Sequence, residues 1–265
     1  LWDFRQVLAI VNWKNNYEGD VLKTFDIVAD FESLVSLATL KRNSPQWTTP
    51  TIMDNPLVDR IHAIQLNHPL IPKKNAVAND YDASSHRLAL ITGSNMAGKS
   101  TFLRTLGVNA VLAYAGAVVC AEQLSLPIYK LVSYMRIKDN LNESTSTFKA
   151  ELDRMKFILE LVAVAPDSFV LIDEMLRGTN SVDKYLGSRA IIKKLISMNG
   201  MGMVATHDLQ LATLEDEYES ILKNYHFDIQ VIEGEMLFDY KLKNGKCTVF
   251  NASMLLKGIG IDVES

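Results

Sequence analysis

Residues 88–107, LALITGSNMAGKSTFLRTLG, restrict the possible folds more than any other stretch of the chain. The apolar run Leu88, Ala89, Leu90, Ile91 enters a loop with Gly93, Gly98, Lys99 and Ser100 at the spacing G-x-x-x-x-G-K-[ST]. Phe102, Leu103, Leu106, Val108 and Val111 then leave it at helical spacing. A strand, a glycine loop and a helix in that order are what a phosphate-binding loop requires. Gly93 and Gly98 let the backbone turn where a Cβ would clash, so that successive N–H groups and the positive end of the next helix converge on phosphate oxygens. Lys99 is expected to reach the β- and γ-phosphates, Ser100 to ligate Mg²⁺, and Thr101 to lie near the α-phosphate.

The sequence around the loop predicts an α/β architecture. Residues 129–137 read as a strand, and residues 146–165 as an amphipathic helix with Phe148, Leu152, Met155, Ile158, Leu159 and Val162 on its buried side. Phe169-Val170-Leu171-Ile172 reads as a fully buried strand delivering Asp173 and Glu174. A helix over 182–198 follows, then a turn flanked by Gly200 and Gly202, then a second buried strand, Met203-Val204-Ala205-Thr206, ending at His207. Residues 227–232 and 236–242 read as a hairpin. Strands alternating with helices predict a mostly parallel sheet covered on both faces. Before the loop, Pro45, Pro50, Pro56, Pro69 and Pro72 exclude long helices and suggest short strands. Residues 1–42 carry helical periodicity interrupted at Asn15, Asn16, Gly19 and Asp20, which predicts a helical pair joined by a turn. Trp2 and Trp13 on that piece could cover a surface supplied by the rest of a longer protein. The expected division is a helical segment over 1–45 and a nucleotide-binding domain over 46–265.

Composition sets limits on partners. The formal net charge of −4 gives no general footprint for nucleic acid. Cys120 and Cys247 have neither metal-type nor disulfide-framework spacing, which favours a reducing, cytoplasmic setting. His62 and His68 lack a convincing third ligand and read as structural. Residues 110–121 are apolar but too short to span a membrane, and no membrane contact is expected. The chain starts without methionine, which suggests a fragment of a longer protein.

Parallel strands present their carboxyl ends to the ligand crevice, so Asp173 and Glu174 should sit beside Lys99 and Ser100. Asp173 would hold Mg²⁺ and Glu174 would polarise the attacking water. His207 can donate a hydrogen bond to the γ-phosphate or to that water, or else simply cap a strand end, with Asp208 as N-cap of the next helix. Residues 142–147, Asn-Glu-Ser-Thr-Ser-Thr, are caps first, yet a helix N-terminus is also an anion site.

In this order the elements resemble the ATPase domain of the MutS mismatch-repair family, itself similar to ABC-type ATPases. The resemblance is carried by Ile91-Thr92-Gly93-Ser94-Asn95-Met96-Ala97-Gly98-Lys99-Ser100-Thr101, by Ser146-Thr147-Phe148 with Glu151, by Leu171-Ile172-Asp173-Glu174, by Arg177-Gly178-Thr179 with Asp183, and by Ala205-Thr206-His207. Asn95-Met96 and Arg177-Gly178-Thr179 discriminate most. The resemblance implies a homodimer with two composite sites that bind ATP and Mg²⁺. Lys99, Ser100, Asp173, Glu174 and His207 of one subunit would hold the nucleotide, and Ser146 of the partner would approach the γ-phosphate. Asn95 would join the phosphate and water network, and residues 177–183 would communicate between subunits. Closure driven by ATP would act on DNA held mostly by regions outside this chain. Ala76-Val77-Ala78-Asn79 resembles the family's adenine-side strand, but Ala76 stands where an aromatic stacking residue is expected, and Tyr81 is the candidate substitute. Ser94 and Ala97 replace proline and glycine of the usual loop, while Leu176 and Lys184 replace glycines near Arg177 and Asp183. Another ABC-type ATPase of chromosome maintenance or recombination, a relative without a repair role, and a module that holds ATP without turnover are the alternative readings.

Overall fold

Strands buried on both faces read as unbroken apolar runs, and the runs before and after the glycine loop form the centre of one sheet. The computed structural model describes residues 1–94, 96–135, 147–232 and 235–247. In chain order it has α1 (Trp2–Asn43), β1 (Thr51–Met53), β2 (His62–Leu66), β3 (Asn79–Asp82), β4 (Leu88–Gly93), α2 (Lys99–Tyr114), β5 (Gln123–Pro127) and β6 (Lys130–Tyr134). Then come α3 (Thr147–Val164), β7 (Ser168–Asp173), α4 (Ser181–Ser197), β8 (Met201–Thr206), a 3₁₀ turn (Leu209–Thr213), α5 (Leu214–Glu217), β9 (Leu222–Ile232) and β10 (Glu235–Asn244).

The main sheet has the order β10-β9-β4-β8-β7-β6, and only the β9–β10 pairing is antiparallel. Successive side chains on its strands point to opposite faces. Ala89 and Ile91 of β4, Phe169 and Leu171 of β7, and Met201, Met203 and Ala205 of β8 face one core with Phe102, Leu103 and Leu106 of α2. Leu88, Leu90, Val170, Ile172 and Val204 face the other, with Met155, Ile158 and Val162 of α3 and Ile192 and Leu195 of α4. A second, mixed sheet of order β1-β5-β2-β3 adds Ala63, Leu66, Tyr81, Leu124 and Leu126 to the α2 side. The expected parallel sheet covered on both faces is present.

Several expectations are corrected. The N-terminal piece is one continuous helix of 42 residues, not a helical pair. Asn15, Asn16, Gly19 and Asp20 each cost at most about 1 kcal/mol in a helix interior. Lys14–Glu18 and Lys23–Asp20 ion pairs, both at 3.8 Å, bridge that same segment along the helix. Most of the helix is solvent-exposed, Trp2 and Trp13 included. Leu152 is exposed on α3 and Glu151 is buried instead, because the buried stripe runs through Glu151, Met155, Ile158 and Val162. β5 was not expected from the sequence at all. The strand expected over 129–137 is β6; residues 136–146 lie outside the described residues, as do 251–265 of the tail.

Gly202 does not flank a turn but lies inside β8. The turn is made one step earlier, where Asn199 has φ 56°. At φ 149° a Cβ on Gly202 would come within 2.0 Å of the Val170 carbonyl oxygen in the neighbouring strand. Gly202→Ala is therefore expected to cost about 3 kcal/mol or more, since strained backbone and a backbone clash coincide in the sheet centre. Urea denaturation of the two proteins checks it, and an unchanged midpoint would contradict the packing described.

Candidate nucleotide site

The parallel register aligns the carboxyl ends of three strands. Thr92 of β4 lies opposite Thr206 of β8, and Ala205 lies opposite Asp173 of β7. The residues that follow, Ser94, His207 and Glu174, therefore emerge side by side. Gly93 has φ 142°, and a Cβ on it would come within 2.7 Å of the Phe227 carbonyl oxygen of β9, so only glycine lets the chain leave the sheet there. Gly98, with φ 116°, forms the N-cap of α2 without a side chain in the way, leaving the helix N–H groups open. Ala97 is fully buried beneath the loop and Met96 is exposed at its tip. Asn95 lies outside the described residues.

Lys99 folds back over this turn. Its Nζ donates to the carbonyls of Gly93 and Ser94, each at 2.8 Å, and lies 2.9 Å from Nδ1 of His207. Nδ1 is also 2.9 Å from the Gly93 carbonyl, but it cannot both accept from the lysine and donate to that oxygen. Nε2 of His207 contacts Glu174 Oε1, an acceptor, so the proton is assigned to Nε2 and Nδ1 accepts from the lysine. All three Lys99 protons are then used. Burial pulls the Lys99 pKa down to about 8, with Asp173 opposing the shift, and burial likewise lowers that of His207. At neutral pH the lysine is charged and the histidine neutral.

Ser100 Oγ donates to Asp173 Oδ1 at 2.8 Å. A hydroxyl and a carboxylate suit a hard cation such as Mg²⁺, which takes few protein ligands and completes its shell with phosphate and water oxygens. Among the described residues there is no group of three His, Cys, Asp or Glu that could hold a metal ion.

Glu174 follows Asp173 with φ 54°, buried and turned back so that its N–H donates to Ala205. Its Oε2 is paired with Arg177 Nε at 2.6 Å, and its Oε1 lies against His207 Nε2. Leu176 has φ 55° where glycine would be unstrained, yet its side chain is buried against Gly187, whose missing Cβ leaves the room it occupies. A Cβ on Gly178 would come within 3.0 Å of the Phe148 Cβ, so the Arg177-Gly178 loop lies against the start of α3. Asp183 stands in the first turn of α4, where Asn180 caps the helix by accepting from its N–H at 3.0 Å. Thr179 is partly buried just before that cap. Ser146 lies outside the described residues. Asp208 caps the 3₁₀ turn by accepting from Gln210 N–H.

A cavity of about 510 Å³ opens beside the loop, lined among others by Ala76, Val77, Met96, Thr101, Phe227 and Tyr240. Tyr81 does not reach it. Its ring is buried edge-on to Phe102, and its hydroxyl lies 3.2 Å from His86 Nε2, because the alternation of β3 turns Tyr81 into the core. The aromatic lining of the cavity is Phe102, Phe227 and, on β10, Tyr240; Tyr240 is missed in the sequence because nothing there marks the shift in the β9–β10 register between Phe238 and Leu242 that aims it. Its ring would touch a Cβ on Gly98 at 3.4 Å. Asn79 also lines the cavity, but its amide is bound to β10 backbone. His68 lines it too, and its Nδ1 accepts from Leu70 N–H, a local turn contact in keeping with a structural role.

A model of MutS domain V matches residues 89–255. The chain belongs to the MutS family. It is 30% identical over 237 residues to the DNA mismatch repair protein MutS of Caldicellulosiruptor saccharolyticus, covering 86% of this chain and 27% of that protein. The MutS of Listeria monocytogenes is 31% identical over 249 residues, 91% of this chain and 28% of its own length. That of Clostridium botulinum is 32% identical over 233 residues, 84% and 24%. The chain thus spans about a quarter of the length of these relatives. No helix among the described residues is long and apolar enough to cross a membrane.

A lysine with a pKa near 8 predicts how this MutS domain responds to pH. A phosphate anion beside Lys99 raises its pKa, so above pH 8 binding must take up a proton. Affinity for inorganic tripolyphosphate should then fall between pH 8 and 9.5, approaching tenfold per unit. Titration calorimetry checks this; a flat profile, or one that Lys99→Met leaves unaltered, contradicts the assignment.

Proposed function

We propose that this chain is the ATP-binding and ATP-hydrolysing module of a MutS-like DNA mismatch repair protein. One observation carries the reading: Lys99, the Ser100–Asp173 pair, Glu174 and His207 meet at the carboxyl ends of three adjacent parallel strands. Each group has one chemical task. The N–H groups at the start of α2 and the charged Lys99 receive the triphosphate, the lysine exchanging its bonds to Gly93 and Ser94 for phosphate oxygens. Thr101 lies on the side toward the cavity. Ser100 and Asp173 would hold Mg²⁺, which when bound neutralises phosphate charge. The adenine occupies the cavity, where Ala76 offers no ring and Tyr240 offers its face.

Glu174 is the base that orients and deprotonates the attacking water, and His207 donates from Nε2 to the developing phosphate charge. Glu174 is restrained between Arg177 and His207, and one of these contacts must be released before it can act. That need supports a composite site, in which Ser146 of the partner subunit and the loop from Arg177 to Asp183 complete each centre on dimerisation. Closure on ATP and release after hydrolysis would move regions outside this chain that engage mismatched or branched DNA. The acidic balance of the chain supports placing that contact elsewhere. A cytoplasmic setting suits such a role.

Glu174→Gln should keep MgATP binding, lower turnover by about 10²–10⁴-fold, and accumulate an ATP-bound dimer. Steady-state phosphate release and size-exclusion chromatography with ATP read both effects; unchanged turnover would refute the base assignment. Mixing Ser146→Ala with Lys99→Met should leave one intact composite site per mixed dimer and so restore activity above either variant alone. Activity no higher than the average of the two would remove the shared-site arrangement while leaving nucleotide binding intact.

A further inference from the structure

Asn79 ends the segment that forms one side of the cavity, yet its side chain holds the opposite strand. Nδ2 donates to the Tyr240 carbonyl at 3.0 Å and to that of Val77 at 3.4 Å, while Oδ1 accepts from Leu242 N–H at 2.7 Å. With these bonds made, its carboxamide is committed to backbone. Of the two β10 groups it grips, the Tyr240 carbonyl lies inside a slip in the β9–β10 register, which breaks between Phe238 and Leu242, and the Leu242 N–H lies at its end. Tyr240 sits in that slip with φ 52°, a left-handed conformation that a tyrosine keeps only when its surroundings impose it. A bulge of this kind re-aims a side chain away from the alternation of its strand. Here it leaves the Tyr240 ring lining the cavity and stacked on Phe238, with centroids 5.7 Å apart and planes at 17°. Lys241 Nζ reinforces the same junction by donating to the Ala78 carbonyl at 2.6 Å.

We infer that Asn79 is a positioning residue for base recognition: it clamps the β10 bulge and so fixes the Tyr240 ring as the wall against which a nucleobase stacks. The inference rests on the adenine reading above. Asn79 touches neither base nor phosphate in it, and acts only through Tyr240. The two hydrogen bonds to β10 span residues far apart in sequence, 79 against 240 and 242, so no local feature of β10 replaces them.

The test compares ATP with inorganic tripolyphosphate, which shares the phosphates and lacks the base. Tyr240→Ala should weaken ATP about tenfold, the usual loss when a base gives up one aromatic face, and leave tripolyphosphate unchanged. Asn79→Ala should do the same. The double variant should be no weaker than Tyr240→Ala alone, because both changes remove one interaction. Asn79→Asp keeps the acceptor for Leu242 and loses the donor to Tyr240, so it should fall between; Tyr240→Phe, which keeps the ring, should bind ATP as the parent does. Thermal unfolding of each variant establishes that it is folded, and Asn79→Asp carries the comparison should Asn79→Ala not fold. Additive losses, an equal loss for tripolyphosphate, or no loss from either Asn79 variant would overturn the positioning role. A parent chain that binds neither ATP nor tripolyphosphate would overturn the nucleotide reading and the inference with it.

Discussion

The register of the parallel sheet is the constraint on which the site depends. Side chains in a strand alternate with a period of two, so sliding β8 against β4 by one residue would turn Met203 and Ala205 into the wrong core. The two hydrophobic faces thereby fix where each strand ends. The coincidence of Gly93, Asp173 and Thr206 at one edge follows from core packing rather than from any attraction among the polar groups, which are left to find partners in the crevice so formed. Gly93 completes the arrangement, since the chain passes so close to the Phe227 carbonyl that no side chain fits.

Within that crevice the chain satisfies its own charges. Lys99 is buried, which disfavours its ammonium, yet two carbonyls and an imidazole receive its three protons and Asp173 lies nearby. The balance leaves a cation that stays charged at neutral pH but holds its proton less tightly than a surface lysine. Such a group is poised for an anion: a phosphate replaces neutral carbonyls with charged oxygens, and the stronger bonds offset the exchange. The same logic governs Ser100 and Asp173, whose mutual hydrogen bond keeps a hydroxyl and a carboxylate at the spacing a shared cation needs.

Much of this was legible in the sequence because it rests on local chemistry. The buried runs before Gly93, Asp173 and His207, and the glycine spacing of the loop, are short-range signals, and the sheet follows from their alternation with helices. What could not be read rests on contacts distant in sequence or on backbone geometry. Tyr81 has the composition of a stacking residue, but the pairing of β3 with β2 turns it inward to His86 and Phe102. Tyr240 carries no mark of the bulge that exposes it. In α1, turn-forming residues between two apolar stretches suggested a break, yet a long helix absorbs one glycine and a few asparagines when flanking ion pairs and helix formers continue across them. Glu151 enters the sequence reading by resemblance alone; its burial shows only once α3 is set against β6, where burial first, and then the Glu151 carboxylate, push the Tyr134 hydroxyl well above its ordinary pKa.

The loop after β7 joins these levels. Glu174 and Leu176 both hold left-handed backbone, which for non-glycine residues costs on the order of 1 kcal/mol each. Burial of the Leu176 side chain against Gly187 and the Arg177–Glu174 pair hold them there. Gly178 leaves no room for a side chain against Phe148 of α3, and its N–H faces Glu151 of that helix at 3.5 Å. In the proposed dimer, α3 begins one residue after Ser146, the group offered to the partner's nucleotide. The helix that would serve one site therefore leans on the loop that restrains the base of the other. In that dimer a displacement of α3 on closure would press on the loop at Gly178, next to Arg177, whose guanidinium pairs with Glu174.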